Sequence, residues 1–117
     1  MRTIIAATLS FVLAASAAGA ATITIDIPDA NEADTVSRIY DCGDSQIEAV
    51  YHNAGPVSLA VLTIGGETVV ASNVIAASGA RYAGAQYVWW TKGDTADLYD
   101  LMQGEDAQPV NCRAPNP

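Results

Sequence analysis

Three side chains in this sequence have the chemistry to act on another molecule: Ser78, Lys92 and His52. Lys92 is the chain's only lysine and His52 its only histidine. A nucleophilic serine needs a base within hydrogen-bond reach, so Ser78 with Lys92, or with His52, is the arrangement that catalysis would require. The surroundings of Ser78 argue against it. Ala76-Ala77-Ser78-Gly79-Ala80 is a run of small residues, not the Gly-x-Ser-x-Gly elbow between a strand and a helix. A serine in such a turn ordinarily bonds the nearby backbone. His52 is expected to be an exposed or satisfied strand residue rather than a ligand or base. Asp94, Asp97 and Asp100 stand three residues apart in a very acidic chain, and they read as a solvated face rather than an acid–base pair. One histidine and two cysteines cannot build a four-ligand His/Cys metal site, so no metal or other cofactor is expected.

The neighbourhood of Lys92 is more distinctive. It follows Trp89-Trp90-Thr91 and precedes Gly93-Asp94. Adjacent residues on a strand point to opposite faces, so one tryptophan enters the core and the other is covered by a loop or offered to a partner. The ordinary role for Lys92 is pairing with a nearby carboxylate.

These residues must be held by a small domain. Met1 and Arg2, the apolar run Ile4 to Ala15, and the small residues Ser16 to Ala20 have the form of a signal peptide, with cleavage after Ala20. Residues 1–20 are therefore read as a leader and 21–117 as one domain. An uncleaved anchor is the alternative, but the stretch is short for a membrane span and fades into alanine and glycine. No cysteine stands near the cleavage site to carry a lipid anchor. Export would place Cys42 and Cys112 in an oxidising compartment, where a disulfide is expected. Their spacing is not Cys-x-x-Cys, which argues against a redox-active pair.

The domain reads as strands and turns. Ile23, Ile25 and Ile27 alternate with polar residues until Pro28, which predicts a first strand. Strands are expected at Val36 to Cys42, Gln46 to His52, Ser58 to Ile64, Glu67 to Ile75, Gln86 to Lys92, Thr95 to Met102 and Val110 to Arg113. Val69, Val70, Val74 and Ile75 are core candidates. Gly65-Gly66 supplies a tight hairpin turn, and Ala83-Gly84-Ala85 is expected to be another. About seven or eight short strands with no convincing helix predict an all-β antiparallel sandwich or small barrel. A barrel is favoured physically, because closure removes exposed edges.

The whole chain carries a net charge of −8, and beyond the leader thirteen acids face four bases. That excludes a nucleic-acid binder, which needs a basic footprint, and argues against docking on an anionic membrane surface.

Two motifs carry a likeness. Ser78-Gly79-Ala80-Arg81-Tyr82 and Trp89-Trp90-Thr91-Lys92-Gly93, followed by Ala96 and Leu98, resemble the C-type lysozyme inhibitors of the MliC/PliC type exported by Gram-negative bacteria. The resemblance extends to Tyr40-Asp41-Cys42, Val50-Tyr51 and Cys112, and covers most of residues 38–113. It implies a small antiparallel β-barrel of about eight strands, no catalysis, and a loop that enters the lysozyme cleft. In that family a loop serine and the motif lysine contact the enzyme's catalytic carboxylates, which implies Ser78 and Lys92 here. Gly79 and Ala80 would keep the loop slim, and Arg81, Tyr82 and Thr91 would support it or line the contact. The implied partner is a basic C-type lysozyme, and the implied location is the periplasm, as a soluble protein without a membrane anchor. Residues 21–34 match nothing in the family, and their Ile/Thr alternation leaves an added edge strand or a homodimer open. A barrel that binds a small ligand or an envelope component is the alternative function.

Overall fold

The structure is a computed structural model that describes residues 2–14 and 19–115. Ser16, Ala17 and Ala18 of the expected cleavage region, and the end of the tail at Asn116 and Pro117, lie outside the described residues. Residues 2–14 form no helix or strand and leave Ile4, Leu9, Phe11 and Leu13 exposed.

Eight antiparallel strands close into a barrel, each paired with the next in sequence. They are β1 (Asp34–Asp41), β2 (Gln46–Ala54), β3 (Val57–Ile64), β4 (Glu67–Val74), β5 (Ala80–Gly84), β6 (Tyr87–Lys92), β7 (Thr95–Asp100) and β8 (Val110–Arg113). The all-β barrel is thus the architecture expected.

The period of two along each strand sorts side chains inward and outward. Ile47, Ala49 and Tyr51 of β2, Ala60 and Leu62 of β3, and Val69 and Ala71 of β4 are buried. A small barrel fills its lumen by setting large residues against small ones. Here Trp89, Tyr40 and Leu62 are the large, fully buried side chains, and Ala49, Ala60, Ala71 and Ala96 leave them room. The polar ends of the aromatics satisfy each other. Trp89 Nε1 donates to Tyr51 Oη at 2.9 Å, and the Tyr51 and Tyr40 hydroxyls share a hydrogen bond of 2.8 Å. Tyr40 meets Trp89 edge to face, with centroids 4.9 Å apart. With the barrel's centre filled, an open hollow of about 250 Å3 lies at one mouth, lined by Arg38, Tyr51, Tyr82 and Thr91 among others.

The seam between β1 and β8 is short. Only Asp41 and Arg113 pair across it. Beside that pair the Cys42–Cys112 disulfide joins the two ends of the sheet. Further along β1, where backbone pairing has stopped, Arg38 Nη2 donates to Asp94 Oδ1 at 3.0 Å.

Four expectations are corrected. Ile23–Ile27 is not a strand. The barrel closes without it, and Ala30 N–H donates to the Ile27 carbonyl in a turn instead. Val70 and Ile75 are not core: Val69 takes the inward position next to Val70, and Ile75 lies just past the end of β4, 94% exposed. Ala83 and Gly84 belong to β5 rather than a turn. A Cβ at Gly84 would run into the Val70 carbonyl and Ala71 Cα, so a bare Cα lets β4 and β5 close up there. Finally, β7 stops at Asp100, whose carboxylate accepts from Met102 N–H and caps a short 3-10 turn, Leu101–Gln103.

Candidate functional site at the barrel mouth

The segment between β4 and β5 carries Ser78 and Gly79, and β6 ends at Lys92. Cross-strand register sets Ala80 opposite Thr91 and Arg81 opposite Trp90. The two motifs, separated in sequence, therefore meet at one end of the barrel.

Gly79 sets how closely they meet. It adopts φ +67, a conformation that glycine takes without steric cost. A Cβ on it would collide with the Thr91 carbonyl and would come within 2.8 Å of Lys92 Cγ. The loop thus lies flat on β6. Two hydrogen bonds fasten it there: Trp90 Nε1 donates to the Ser78 carbonyl at 2.8 Å, and Thr91 Oγ1 donates to the Ala80 carbonyl at 3.3 Å. Asn73 Nδ2 donates to the Arg81 carbonyl at 3.2 Å from the β4 side.

Trp89 and Trp90 divide as alternation requires. Trp89 is wholly buried, and Trp90 faces outward under the loop. The Lys92 ammonium stands 5.2 Å from the Trp90 ring centroid and the Arg81 guanidinium 5.6 Å from it. Lys92 forms no ion pair among the described residues, contrary to the ordinary expectation for a lone lysine in an acidic chain. The near carboxylate, Asp94, is engaged by Arg38.

The turn after Lys92 is tied down at three points. Thr95 Oγ1 donates to the Lys92 carbonyl at 2.9 Å, Arg38 holds the Asp94 carboxylate, and Ala114 N–H donates to the Asp94 carbonyl at 2.8 Å. Because Ala114 follows Cys112 closely, the disulfide also anchors this turn.

Ser78 and Lys92 end exposed and close to one another along the mouth, with no hydrogen bond between their side chains. Ala80, Arg81 and Thr91 are half-buried beneath them. Tyr82 turns inward, packing its ring 5.6 Å from that of Tyr51 in the mouth hollow. His52 is on β2, hydrogen-bonded to Thr35 Oγ1 at 3.1 Å, as a satisfied strand residue. No group of three or more His, Cys, Asp or Glu among the described residues is arranged to hold a metal. The geometry offers a hydroxyl and an ammonium on a braced rim, a pair of donors suited to a carboxylate-bearing partner.

The sequence and the barrel have known relatives. The family signature described as membrane-bound lysozyme-inhibitor of c-type lysozyme matches residues 40–107. The chain belongs to this MliC family. A membrane-bound lysozyme inhibitor of C-type lysozyme from Cupriavidus necator is 46% identical over 78 residues, covering 64% of this chain and 62% of that protein. The match thus spans somewhat less than two thirds of that relative's length. The Pseudomonas aeruginosa protein of the same name is 46% identical over 90 residues, covering 74% of this chain and 71% of its own length. The crystal structure of Pseudomonas aeruginosa MliC in complex with hen egg white lysozyme superposes with a TM-score of 0.68 at 38% identity, covering 83% of this chain and 99% of that one. The family match contains both rim motifs, the inward Tyr82 and Trp89, and the hairpin that carries Lys92.

Sequence reasoning missed two residues of this site. The sequence leaves Trp90 open between a covered side chain and a partner anchor, and its double attachment to Ser78 and Lys92 depends on strand register. The other is Arg38. Its signal was position: it sits between Val36 and Tyr40 at the inward period of β1, where an arginine needs a partner.

Proposed function

We propose that this protein inhibits C-type lysozyme by presenting the Ser78 loop and Lys92 to the enzyme's catalytic cleft. One observation carries the reading. The Ser78–Gly79 loop packs against Trp90, Thr91 and Lys92 and brings both motifs to a single exposed edge, on a barrel similar to one solved with hen lysozyme bound. The relatives are named as inhibitors, and on this reading the chain is not an enzyme.

The mechanism follows from what a lysozyme needs. Its glycosidic chemistry requires one carboxyl group protonated and the other ionised. An ammonium placed between them is attracted to the ionised group and favours ionisation of the acid, which removes its catalytic proton. The Ser78 hydroxyl donates to either carboxylate. Gly79 and Ala80 keep the loop thin enough to enter, and its volume excludes substrate. Arg81, Thr91 and Tyr82 support the loop from below. A desolvated ion pair contributes little or several kcal/mol according to how many of its hydrogen bonds are completed, so cleft exclusion and charge act together. The acidic chain is steered toward a basic lysozyme, an attraction that weakens with salt.

The relatives' names place the family at the cell envelope. On our reading the leader is removed after Ala20 and this member works as a soluble periplasmic protein. Cys42 is bonded to Cys112 and so is not free for a lipid. The mass of the protein recovered from a periplasmic extract tests that step: a chain starting at Ala21 supports it, and an unprocessed or lipid-bearing chain overturns it.

The functional test is a titration of hen egg white lysozyme, acting on bacterial cell walls, with the purified oxidised chain. Loss of activity saturating near one equivalent, without release of any product by the chain itself, supports the inhibitor. Full lysozyme activity at several equivalents of folded protein contradicts it.

A further inference from the structure

The Trp90 side chain meets both halves of the proposed site. Its indole N–H holds the Ser78 carbonyl at 2.8 Å, and its ring lies 5.2 Å from the Lys92 ammonium. A Cβ on Gly79 would come within 3.2 Å of Trp90 Nε1, so the loop has no slack over the indole. The Arg81 guanidinium, on the residue paired with Trp90 across β5 and β6, stands 5.6 Å from the same ring. The buried core does not need this tryptophan: Trp89 fills the lumen, and Trp90 is a half-buried outer residue.

We infer that Trp90 is a positioning residue, which sets the Ser78 loop and the Lys92 side chain in their binding arrangement before lysozyme arrives. This rests on the reading of Ser78 and Lys92 given above and goes beyond it, because Trp90 acts through them and not on the enzyme's carboxylates. The physical reason is entropic. A lysine carries its charge on a flexible four-carbon stem, and freezing that stem on binding costs affinity. An aromatic face beneath the ammonium restricts the stem in the free protein through cation–π attraction. The hydrogen bond to a backbone carbonyl does the same for the loop. Where only part of the population is binding-competent, apparent affinity falls by that fraction.

The two attachments can be separated by substitution. Trp90→Phe keeps a ring face under Lys92 and Arg81 but removes the indole N–H. Trp90→Leu removes both. Inhibition constants for hen egg white lysozyme are measured for the wild type, for both variants, for Lys92→Ala, and for each Trp90 variant combined with Lys92→Ala, with melting temperatures taken alongside. W90F is expected to weaken inhibition roughly three- to tenfold, the factor that corresponds to one net hydrogen bond. W90L is expected to weaken it further. In the Lys92→Ala background the gap between the two variants should narrow, because the ring then has no lysine to place and keeps only Arg81. A tryptophan with only a structural role would lower the melting temperature and would leave the W90F–W90L difference intact in that background.

W90F is the milder change and keeps the test decisive if W90L fails to fold. Inhibition by W90F within twofold of the wild type overturns the role of Trp90 in holding the loop. A W90F–W90L difference that persists undiminished in the Lys92→Ala background overturns its role in placing the lysine. If Lys92→Ala weakens inhibition and the Trp90 variants do not, only the positioning role fails. If Lys92→Ala has no effect, the reading of the site fails first, and the positioning role falls with it.

Discussion

Arg38 reaches across the unpaired stretch of the β1–β8 seam to hold Asp94, with Nη2 and Oδ1 3.0 Å apart. The contact closes the barrel where backbone hydrogen bonding has ended, and it grips the turn that follows Lys92. Both side chains are partly exposed, so the pair's direct contribution to stability is small, about 1 kcal/mol or less. Its effect on the site is expected to exceed its effect on the fold. Arg38→Ala should lower the melting temperature by only a few degrees and weaken lysozyme inhibition several-fold. A variant with a much lower melting temperature and undiminished inhibition would contradict this assignment.

The disulfide acts on a larger scale. Cys42 and Cys112 close a loop with a sequence separation of 70. In the chain-entropy account this stabilises the fold by about 4 kcal/mol. For a domain of this size, Cys42→Ala or reduction should lower the melting temperature by on the order of 15 °C. Because β8 carries Ala114 to the Asp94 carbonyl, inhibition should fall as the seam loosens. Equal melting temperatures with and without reductant would show that the bridge contributes nothing.

Gly79 permits no side chain. At φ +67 an alanine is strained, and its Cβ would press on the Thr91 carbonyl and the Lys92 stem. Backbone strain of this kind costs about 1–3 kcal/mol. Gly79→Ala should lower stability by that amount and, by lifting the loop from β6, weaken inhibition tenfold or more. Inhibition equal to the wild type would mean that the loop's seat on β6 does not matter for binding.

The buried tyrosines make the fold sensitive to alkali. Burial pushes the Tyr51 phenol well above its ordinary value of 10.0, the hydrogen bond from Trp89 opposing this in part and the Tyr40 contact adding to it. Burial also raises Tyr82. A raised folded-state value means that the contribution is fully present below pH 10.0 and is lost as pH climbs beyond it. The melting temperature should therefore fall above pH 10, with the tyrosinate absorbance of Tyr51 and Tyr82 appearing only as the barrel opens. In Tyr51→Phe the starting stability is lower but its fall with alkali is shallower. Parallel curves for the two proteins would contradict the role given to Tyr51.

Much of the barrel was legible because its determinants are local. Alternating side chains and the Gly65-Gly66 turn mark β2, β3 and β4 without knowledge of their partners. The errors came where closure decides. Ile23–Ile27 has the alternation of a strand, yet the barrel closes through β8 without pairing it. Ala83-Gly84 has the composition of a turn, yet the small residues serve the close approach of β4 to β5. At the site, residue types and motif spacing pointed to Ser78 and Lys92 through the family resemblance. What joins them was not legible, because the outward direction of Trp90 and the free carboxylate that Arg38 removes from Lys92 depend on the register of four strands.

On the proposed function, the braced rim of Ser78 and Lys92 blocks a lysozyme cleft. The deciding experiment compares inhibition of hen egg white lysozyme by wild type, Lys92→Ala and Ser78→Ala, each confirmed to melt at the wild-type temperature with its disulfide formed. Stoichiometric inhibition by the wild type is expected, with a loss of an order of magnitude or more in Lys92→Ala and a smaller loss in Ser78→Ala. Wild-type inhibition by both variants would contradict it and move the binding surface elsewhere on the barrel.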